Sequence, residues 1–311
     1  MKALLLDYTH PFLEADLEAG GLELVRDFEH PFDAFPASHF DAEVLVIRSR
    51  MPIDADFLAA FSKLRVIGRL GAGLENIDLN VARERGITCL RVPEGNAQAV
   101  AEHALGLLLA LMNHIPRAQR EVRAGLWRRE ENKGLELFSA KVGIIGYGVM
   151  GSRFAEVLDA MGVEVLAHDK YKSGFATGNI RECTLKEIQE GCDVVSLHLP
   201  LTEETRYYAD ESFFNGFAKP VYFLNTARGP IASTEAMVEA LNTGQLLGAG
   251  LDVLEYEKRS FTSLFDGHMP LPLQQLLDRD NVIITPHIAG WTKESFEKMG
   301  RGLATKILEA L

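Results

Sequence analysis

Three side chains, each just past an apolar run, could together deliver a proton to a carbonyl oxygen. Asn225-Thr226-Ala227-Arg228-Gly229 follows the run that begins at Val221. Asp252 closes a second run with Glu257 a few residues on, and His287 follows a third, Val282–Thr285. If these runs are strands of an open parallel sheet, all three residues lie beyond strand carboxyl ends, where such sheets bind ligands. A histidine suits proton transfer because its ring gains and loses a proton near neutrality. A carboxylate beside it favours the protonated ring. An arginine can hold a carboxylate with its forked donors and polarise a neighbouring carbonyl. That combination fits reduction of a 2-keto acid, in which a hydride reaches the carbonyl carbon and a proton reaches the oxygen. Glu257 lies in the charged run Glu255-Tyr256-Glu257-Lys258-Arg259, which on its own reads as a solvated loop. Glu255 is the alternative acid, with a spacing from Asp252 that fits less well.

The hydride needs a carrier, and residues 141–151 offer a place for one. Val142–Ile145 is short and apolar, as a buried strand should be; Gly146, Gly148 and Gly151 then give G-x-G-x-x-G, and a helical pattern runs on through Met161. The next strand, Val163–His168, ends at Asp169. In this pattern Gly146 makes the tight turn, Gly148 lets a pyrophosphate approach the backbone, and Gly151 lets the helix sit against the sheet. The helix N-terminus presents unpaired N–H groups to the phosphates. Asp169 can accept hydrogen bonds from both ribose hydroxyls and would repel a 2′-phosphate, which favours NAD over NADP; Lys170 beside it could soften that repulsion.

These sites need a scaffold, and the alternation of strand and helix patterns supplies one. Strands are expected at Lys2–Tyr8, Glu43–Arg48, Arg65–Leu70 and Ile87–Arg91, with helices starting near Asp54 and Asp78. A long helix starts near Gln98 and a second covers about Pro116–Gly125, followed by an exposed loop from Arg128 to Gly134. Later strands fall at Asp193–Leu197, Val221–Asn225, Gly248–Asp252 and Val282–Thr285, with helices near Leu185–Gln189 and Ser233–Thr243. The expected class is α/β, with two doubly wound parallel-sheet domains and a cleft between them. Residues 1–96 plus 286–311 form the substrate domain, the last helix crossing back, and 97–285 the dinucleotide domain.

With 311 residues the chain has room for two cores, and its formal net charge of −12 argues against nucleic acid or an anionic membrane as main partner. The most apolar stretch, Leu105–Met112, is too short to cross a bilayer. Met1–Asp7 reads as a first strand rather than a signal peptide. Cys89, Cys183 and Cys192 lack metal-ligand spacing, so buried thiols in a reducing compartment, without a metal, are expected. A cytoplasmic location follows.

Gly71-Ala72-Gly73 also follows a strand, but position 76 is Asn and the next strand ends at Arg91-Val92-Pro93 without an acid. A loop of backbone N–H groups suited to a small carboxylate is the better reading; a simple tight turn is the other. Together with Gly71–Asp78, the blocks Val100–His103, Leu197–Thr202, Asn225–Gly229, Gly250–Val253 and Thr285–Gly290 occur in one order with the glycine-rich turn. Over nearly its whole length the chain resembles the D-isomer-specific 2-hydroxyacid dehydrogenases. The resemblance implies that Arg228, Glu257 and His287 are the catalytic trio, with His287 giving and taking the proton. It implies that Val149, Met150, Asp169, His198, Pro200 and Thr205 contact NAD. Thr226, Ala227, Arg228, Asp252 and the His287–Gly290 segment would surround the nicotinamide. The Gly71–Gly73 loop would bind the substrate carboxylate, and a homodimer would form through the cofactor domain, using the Ala97–Gly125 region. One departure is Lys258, where the family usually has Pro after the catalytic Glu. The segment to Asp280, with Phe261, Phe265, Pro270 and Pro272, is also longer than usual.

Arg48-Ser49-Arg50 resembles a segment with which D-3-phosphoglycerate dehydrogenases hold the phosphate end of their substrate, and Asn96 matches an Asn of their substrate site. Two arginines and a hydroxyl suit a dianion; a solvated pair serving any hydroxy acid is the alternative. The expected reaction therefore links 3-phosphoglycerate and 3-phosphohydroxypyruvate, a step of serine biosynthesis, with a glyoxylate or hydroxypyruvate reductase as runner-up. No counterpart of a C-terminal regulatory domain is seen, so serine feedback is not expected. An NAD(H)-sensing interaction protein, like the corepressors that resemble this family, is the reading of another class; turnover against partner recruitment separates them.

Overall fold

The apolar runs assemble into two parallel sheets, each in its own unit of the computed structural model, which describes residues 1–257 and 269–311. The first unit comprises Met1–Asn96 and Trp291–Leu311. Its strands are β1 (Lys2–Leu5), β2 (Glu23–Arg26), β3 (Val44–Ile47), β4 (Val66–Arg69) and β5 (Thr88–Arg91). They pair in parallel in the order β2-β1-β3-β4-β5. One sheet face packs Leu4, Leu45, Ile47 and Ile67 against Phe57 and Phe61. The other packs Ala3, Leu5, Val44, Val46 and Val66 against Leu13, Leu17 and, from the terminal helix Lys293–Ala310, Leu303 and Ile307. Burial on both faces explains why β1 and β3 read as continuous apolar runs rather than alternating ones. Each such Leu or Ile contributes about 2 kcal/mol by leaving water. Asp54 and Asp78 cap the helices that follow them, each carboxylate accepting first-turn N–H groups.

The second unit comprises Ala97–Glu257 with 269–290. Its strands are β6 (Lys141–Ile145), β7 (Glu164–His168), β8 (Ile180–Glu182), β9 (Val194–Leu197), β10 (Val221–Asn225), β11 (Leu246–Leu251) and β12 (Val282–Ile284). All pair in parallel, in the order β12-β11-β10-β9-β6-β7-β8. The order reverses between β6 and β9, and between β1 and β3 in the first unit; at such switch points the loops leaving two neighbouring strands diverge and open a crevice. Gly146 and His198 follow the strands at one switch point, and Asp7 and Arg48 lie at the other.

The structure departs from the sequence expectations in a few places. The edge strands β2 and β8 were not expected. The long helix begins at Pro93 rather than near Gln98, since proline is well tolerated in a first helical turn. The divide between units falls after Gly290, not after Thr285, because the buried carboxylate of Asp252 binds the backbone N–H groups of Ile288 and Ala289. Phe261 and Phe265 lie outside the described residues; Pro270 caps a short helix, Leu271–Leu277, that contains Pro272. No helix among the described residues is long and apolar enough to cross a membrane.

Candidate active site

The glycine-rich turn is built against the end of β9. Gly146 has φ +94, and a Cβ there would lie 2.6 Å from the His198 carbonyl oxygen. A Cβ on Gly151 would lie 2.0 Å from the carbonyl oxygen of Gly146, so only hydrogen lets the helix Val149–Ala160 start this close to the strand. A Cβ on Gly148 would meet nothing within 4 Å. That open side is where the helix begins, with no side chain capping its first turn, so its N–H groups remain available to an anion. Val149 and Met150 lie in that turn. Asp169 ties down the other side: Oδ2 accepts from Tyr147 N at 2.7 Å, and Oδ1 from Tyr171 N and Lys172 N at 2.9 Å each. Burial opposes its charge, but these backbone donors outweigh burial and hold the carboxyl below its usual range. Three of roughly four acceptor positions of the carboxylate are thus used, leaving less for two ribose hydroxyls than the sequence suggested. Lys170 pairs with Glu204, which also accepts from the Tyr171 hydroxyl at 2.8 Å. Its charge is therefore shared with a carboxylate.

Three expected cofactor contacts have local partners. His198 is buried, its Nε2 2.9 Å from Ser196 Oγ, and desolvation lowers its pKa to about 4. Its imidazole packs inside the unit, near the Phe154 ring. Thr205 Oγ1 donates to the carbonyl of Pro200 at 2.5 Å and accepts from Thr202 N, closing the exposed turn after His198.

At the ends of β10, β11 and β12 the acid and base meet. His287 Nδ1 lies 2.6 Å from Glu257 Oε2, and the other Glu257 oxygen accepts from Leu254 N. With Nδ1 donating to Glu257, the carboxylate fixes the tautomer and the orientation of the ring. His287 has φ +55, a left-handed conformation that costs a branched or bulky side chain about 1–3 kcal/mol. Asp252 enforces it. This buried carboxylate accepts from Thr285 Oγ1 at 2.5 Å, Ile288 N at 2.9 Å and Ala289 N at 2.8 Å, while its carbonyl accepts from His287 N at 2.9 Å. Asp252 thus positions the turn from Thr285 to Ala289, with Gly290 ending the unit. Glu255 is used elsewhere: it accepts from the Tyr207 hydroxyl at 2.8 Å and from Thr234 N at 3.0 Å, at the start of a helix. The geometry thus puts Glu257, and not Glu255, beside His287. Arg228 follows β10, half-buried, in a turn that Asn225 fixes by accepting from Ala227 N at 3.0 Å and donating to the Arg228 carbonyl at 3.1 Å. The Arg228 Nη1 also donates to Ala227 O at 2.6 Å. The buried hydroxyl of neighbouring Thr226 has no partner among the described residues.

The first unit holds the remaining expected residues. The carbonyls of Gly71, Ala72 and Gly73 are taken by Val92 N at 3.2 Å, Arg91 Nη1 at 2.8 Å and Arg69 Nη1 at 2.8 Å. The three N–H groups of the loop meet no acceptor among the described residues. In Arg48-Ser49-Arg50 the two arginines part company. Arg50 donates to the carbonyls of Leu6, His30 and Asp27 at 2.7–2.9 Å, so it braces loops and does not pair with Arg48 as expected. Arg48 lies over Trp291 instead. Asn96 has its side-chain oxygen buried and without a partner among the described residues.

Residues 105–289 match the D-isomer specific 2-hydroxyacid dehydrogenase, NAD binding domain, family. The chain belongs to that family. It is 36% identical over 271 residues to a hydroxypyruvate reductase of Thermotoga maritima, covering 87% of this chain and 85% of that one. It is 36% identical to a D-3-phosphoglycerate dehydrogenase of Archaeoglobus fulgidus over 86% of this chain but 49% of the other. The chain spans about half the length of several of the curated relatives it matches. A D-lactate dehydrogenase of Aquifex aeolicus, solved with NAD and lactic acid, superposes with TM-score 0.82 at 28% identity, covering 99% of this chain and 94% of that one.

As a member of the D-isomer-specific 2-hydroxyacid dehydrogenases, the chain has a turn that suits NAD: an open backbone at Gly148, an uncapped helix start and a carboxylate at the next strand end. The Thr226 hydroxyl, one residue past β10, is a further buried polar group without a partner among the described residues. Two supporting residues went unread in the sequence. Thr285 Oγ1 bridges Asp252 to His103, whose Nε2 lies 2.9 Å away. His103 is 182 positions from Thr285, and only its place in the block Val100–His103 hinted at a role.

Proposed function

We propose that the chain is an NAD-dependent dehydrogenase interconverting a D-2-hydroxy acid and its 2-keto acid, with 3-phosphoglycerate and 3-phosphohydroxypyruvate as the pair. The observation that carries the reading is the 2.6 Å contact between His287 and Glu257 at the strand ends of a dinucleotide-binding sheet. NAD, when bound, supplies the hydride acceptor, and its reduced form the donor. Gly146, Gly148, Val149, Met150 and Gly151 would hold the pyrophosphate and Asp169 the adenosine ribose. Thr226, Ala227 and Asp252 would border the nicotinamide. Arg228 orients the substrate carboxylate and polarises the carbonyl. His287 gives its Nε2 proton to the carbonyl oxygen during reduction and takes it back during oxidation, while Glu257 fixes the ring. The N–H groups of Gly71, Ala72 and Gly73, with Asn96, would bind the carboxylate end, and Arg48 and Ser49 the phosphate end.

NAD is favoured over NADP because Asp169 is held as a carboxylate and Lys170 is paired with Glu204. A homodimer through the second unit fits its exposed apolar residues Ile115, Val122, Leu126, Trp127, Leu135 and Phe138. Three free cysteines suit a reducing cytoplasm. The relative named for hydroxypyruvate reduction supports the unphosphorylated keto acid as second reading. A panel of keto acids with NADH and NADPH, read by absorbance of the reduced cofactor, tests both. Preference for 3-phosphohydroxypyruvate with NADH supports the first, preference for glyoxylate or hydroxypyruvate the second. No turnover of any 2-keto acid would overturn the dehydrogenase.

A further inference from the structure

Arg48 is in an unusual position for a cation. Its guanidinium carbon lies 4.0 Å from the Trp291 ring centroid and 5.7 Å from that of Phe296. Burial lowers its pKa, with nearby Asp7 opposing that. Yet no acceptor among the described residues takes a hydrogen bond from its side chain. One oxygen of the Asp7 carboxylate accepts from Arg48's own backbone N–H at 2.6 Å, and the Arg48 carbonyl accepts from Arg69 Nε and Asn76 Nδ2. A partly desolvated guanidinium normally satisfies its five donors with carboxylates or carbonyls, as Arg50 does two residues on. Arg48 follows β3 at the switch point of the first sheet, where a crevice opens for a ligand.

Trp291 is held in place by the start of the terminal helix. Thr292 caps the helix Lys293–Ala310 through a reciprocal pair with Ser295, and the Phe296 ring lies 5.5 Å from that of Trp291. An aromatic face attracts a guanidinium without taking its hydrogen bonds, so the donors stay available at the edge. We propose that Trp291 is a specificity-determining residue, which by stacking on Arg48 fixes that guanidinium as a subsite for a tetrahedral dianion of the phosphate class at the far end of the substrate. Trp291 acts through Arg48, so it is a positioning residue. The idea rests on the dehydrogenase reading for its kinetic arm only.

Inorganic phosphate is the direct probe. Trp127 and Trp291 are the two tryptophans of the chain, so in a Trp127→Phe background the emission reports Trp291. Phosphate should change that emission saturably, chloride at equal ionic strength should not, and Arg48→Ala should abolish the change. With keto acids, Trp291→Ala should raise KM for the phosphorylated compound about tenfold, within the range of a desolvated cation–π contact. It should leave kcat within about twofold and KM for hydroxypyruvate unchanged, and Trp291→Phe should restore most of the loss. No saturable phosphate response, or a KM shift shared by both keto acids, overturns the subsite. A phosphate response without turnover of either keto acid would leave the subsite standing and remove the dehydrogenase reading.

Discussion

Two glycine-containing loops leave two parallel strands of this chain, one after β4 and one after β6, and they are pinned from opposite sides. After β4, the carbonyls of Ala72 and Gly73 are gripped by Arg91 and Arg69, and the N–H groups are left over. After β6, Asp169 grips the N–H of Tyr147, and what is left over is the uncapped start of a helix. One pinning residue stands at or just past the end of the following strand in both cases, Arg91 on β5 and Asp169 after β7, while Arg69 grips the first loop from the end of β4 itself. The pinning charge decides which face of the loop remains for a ligand. On the function proposed above, a cation there would leave a nest for a small carboxylate; an anion, with a helix behind the loop, would leave a cradle for a pyrophosphate and ribose.

The comparison breaks first at the second loop. Gly151→Val places side-chain atoms where a Cβ already lies 2.0 Å from the Gly146 carbonyl oxygen. It should cost about 3 kcal/mol or more and weaken NADH binding at least roughly a hundredfold, seen in thermal unfolding and fluorescence titration. Gly148→Ala meets no neighbour, so it should retain the melting temperature and lose affinity alone. If both glycines respond alike, the cradle is misassigned.

At the first loop the expected effect is smaller. Arg69→Met frees the Gly73 carbonyl and lets the nest relax. KM for the keto acid should rise about tenfold, as for loss of a charged hydrogen bond, with NADH affinity unchanged in the same titration. A parallel loss of NADH affinity would deny the two loops separate ligands.

The effect on ligand binding is least for pH, which acts on stability alone. Folded His198, under the second loop, is held near a pKa of about 4 by desolvation, against 6.5 when exposed. Between these values the unfolded chain binds a proton that the folded chain refuses, so stability falls as pH drops from 6.5 towards 4 and is level above 6.5. The contribution is at most about 3 kcal/mol. Denaturant melts of His198→Gln should show a shallower slope through that window; an unchanged slope would assign the loss to other groups.

The second loop was legible because its chemistry is local: three glycines, a helix and an acid at fixed spacing. So were the buried strands β1, β3 and β10, whose apolar runs reflect burial on both faces. The edge strands β2 and β8 were missed because half-exposed segments such as Glu23-Leu24-Val25-Arg26 carry no such run. Within the candidate site, residue types and strand ends pointed to Arg228 and His287. They could not show that Glu255 caps a helix while Glu257 meets His287, since both acids share one short segment. Nor could they show that Arg50 spends its donors on backbone while Arg48 stacks on Trp291. That distinction depends on Leu6, Asp27 and a residue 243 positions away, counting from 48 to 291. The His103–Thr285–Asp252 contacts are invisible for the same reason.

The central claim is that His287, oriented by Glu257, moves the proton of the reaction. His287→Asn tests it most directly, because asparagine tolerates the left-handed backbone that this position requires. Single-turnover reduction of the keto acid with bound NADH should slow about a hundredfold to ten-thousandfold, with NADH affinity within about twofold of the unaltered protein. A rate within a few-fold of the unaltered protein, at equal cofactor occupancy, would contradict the account.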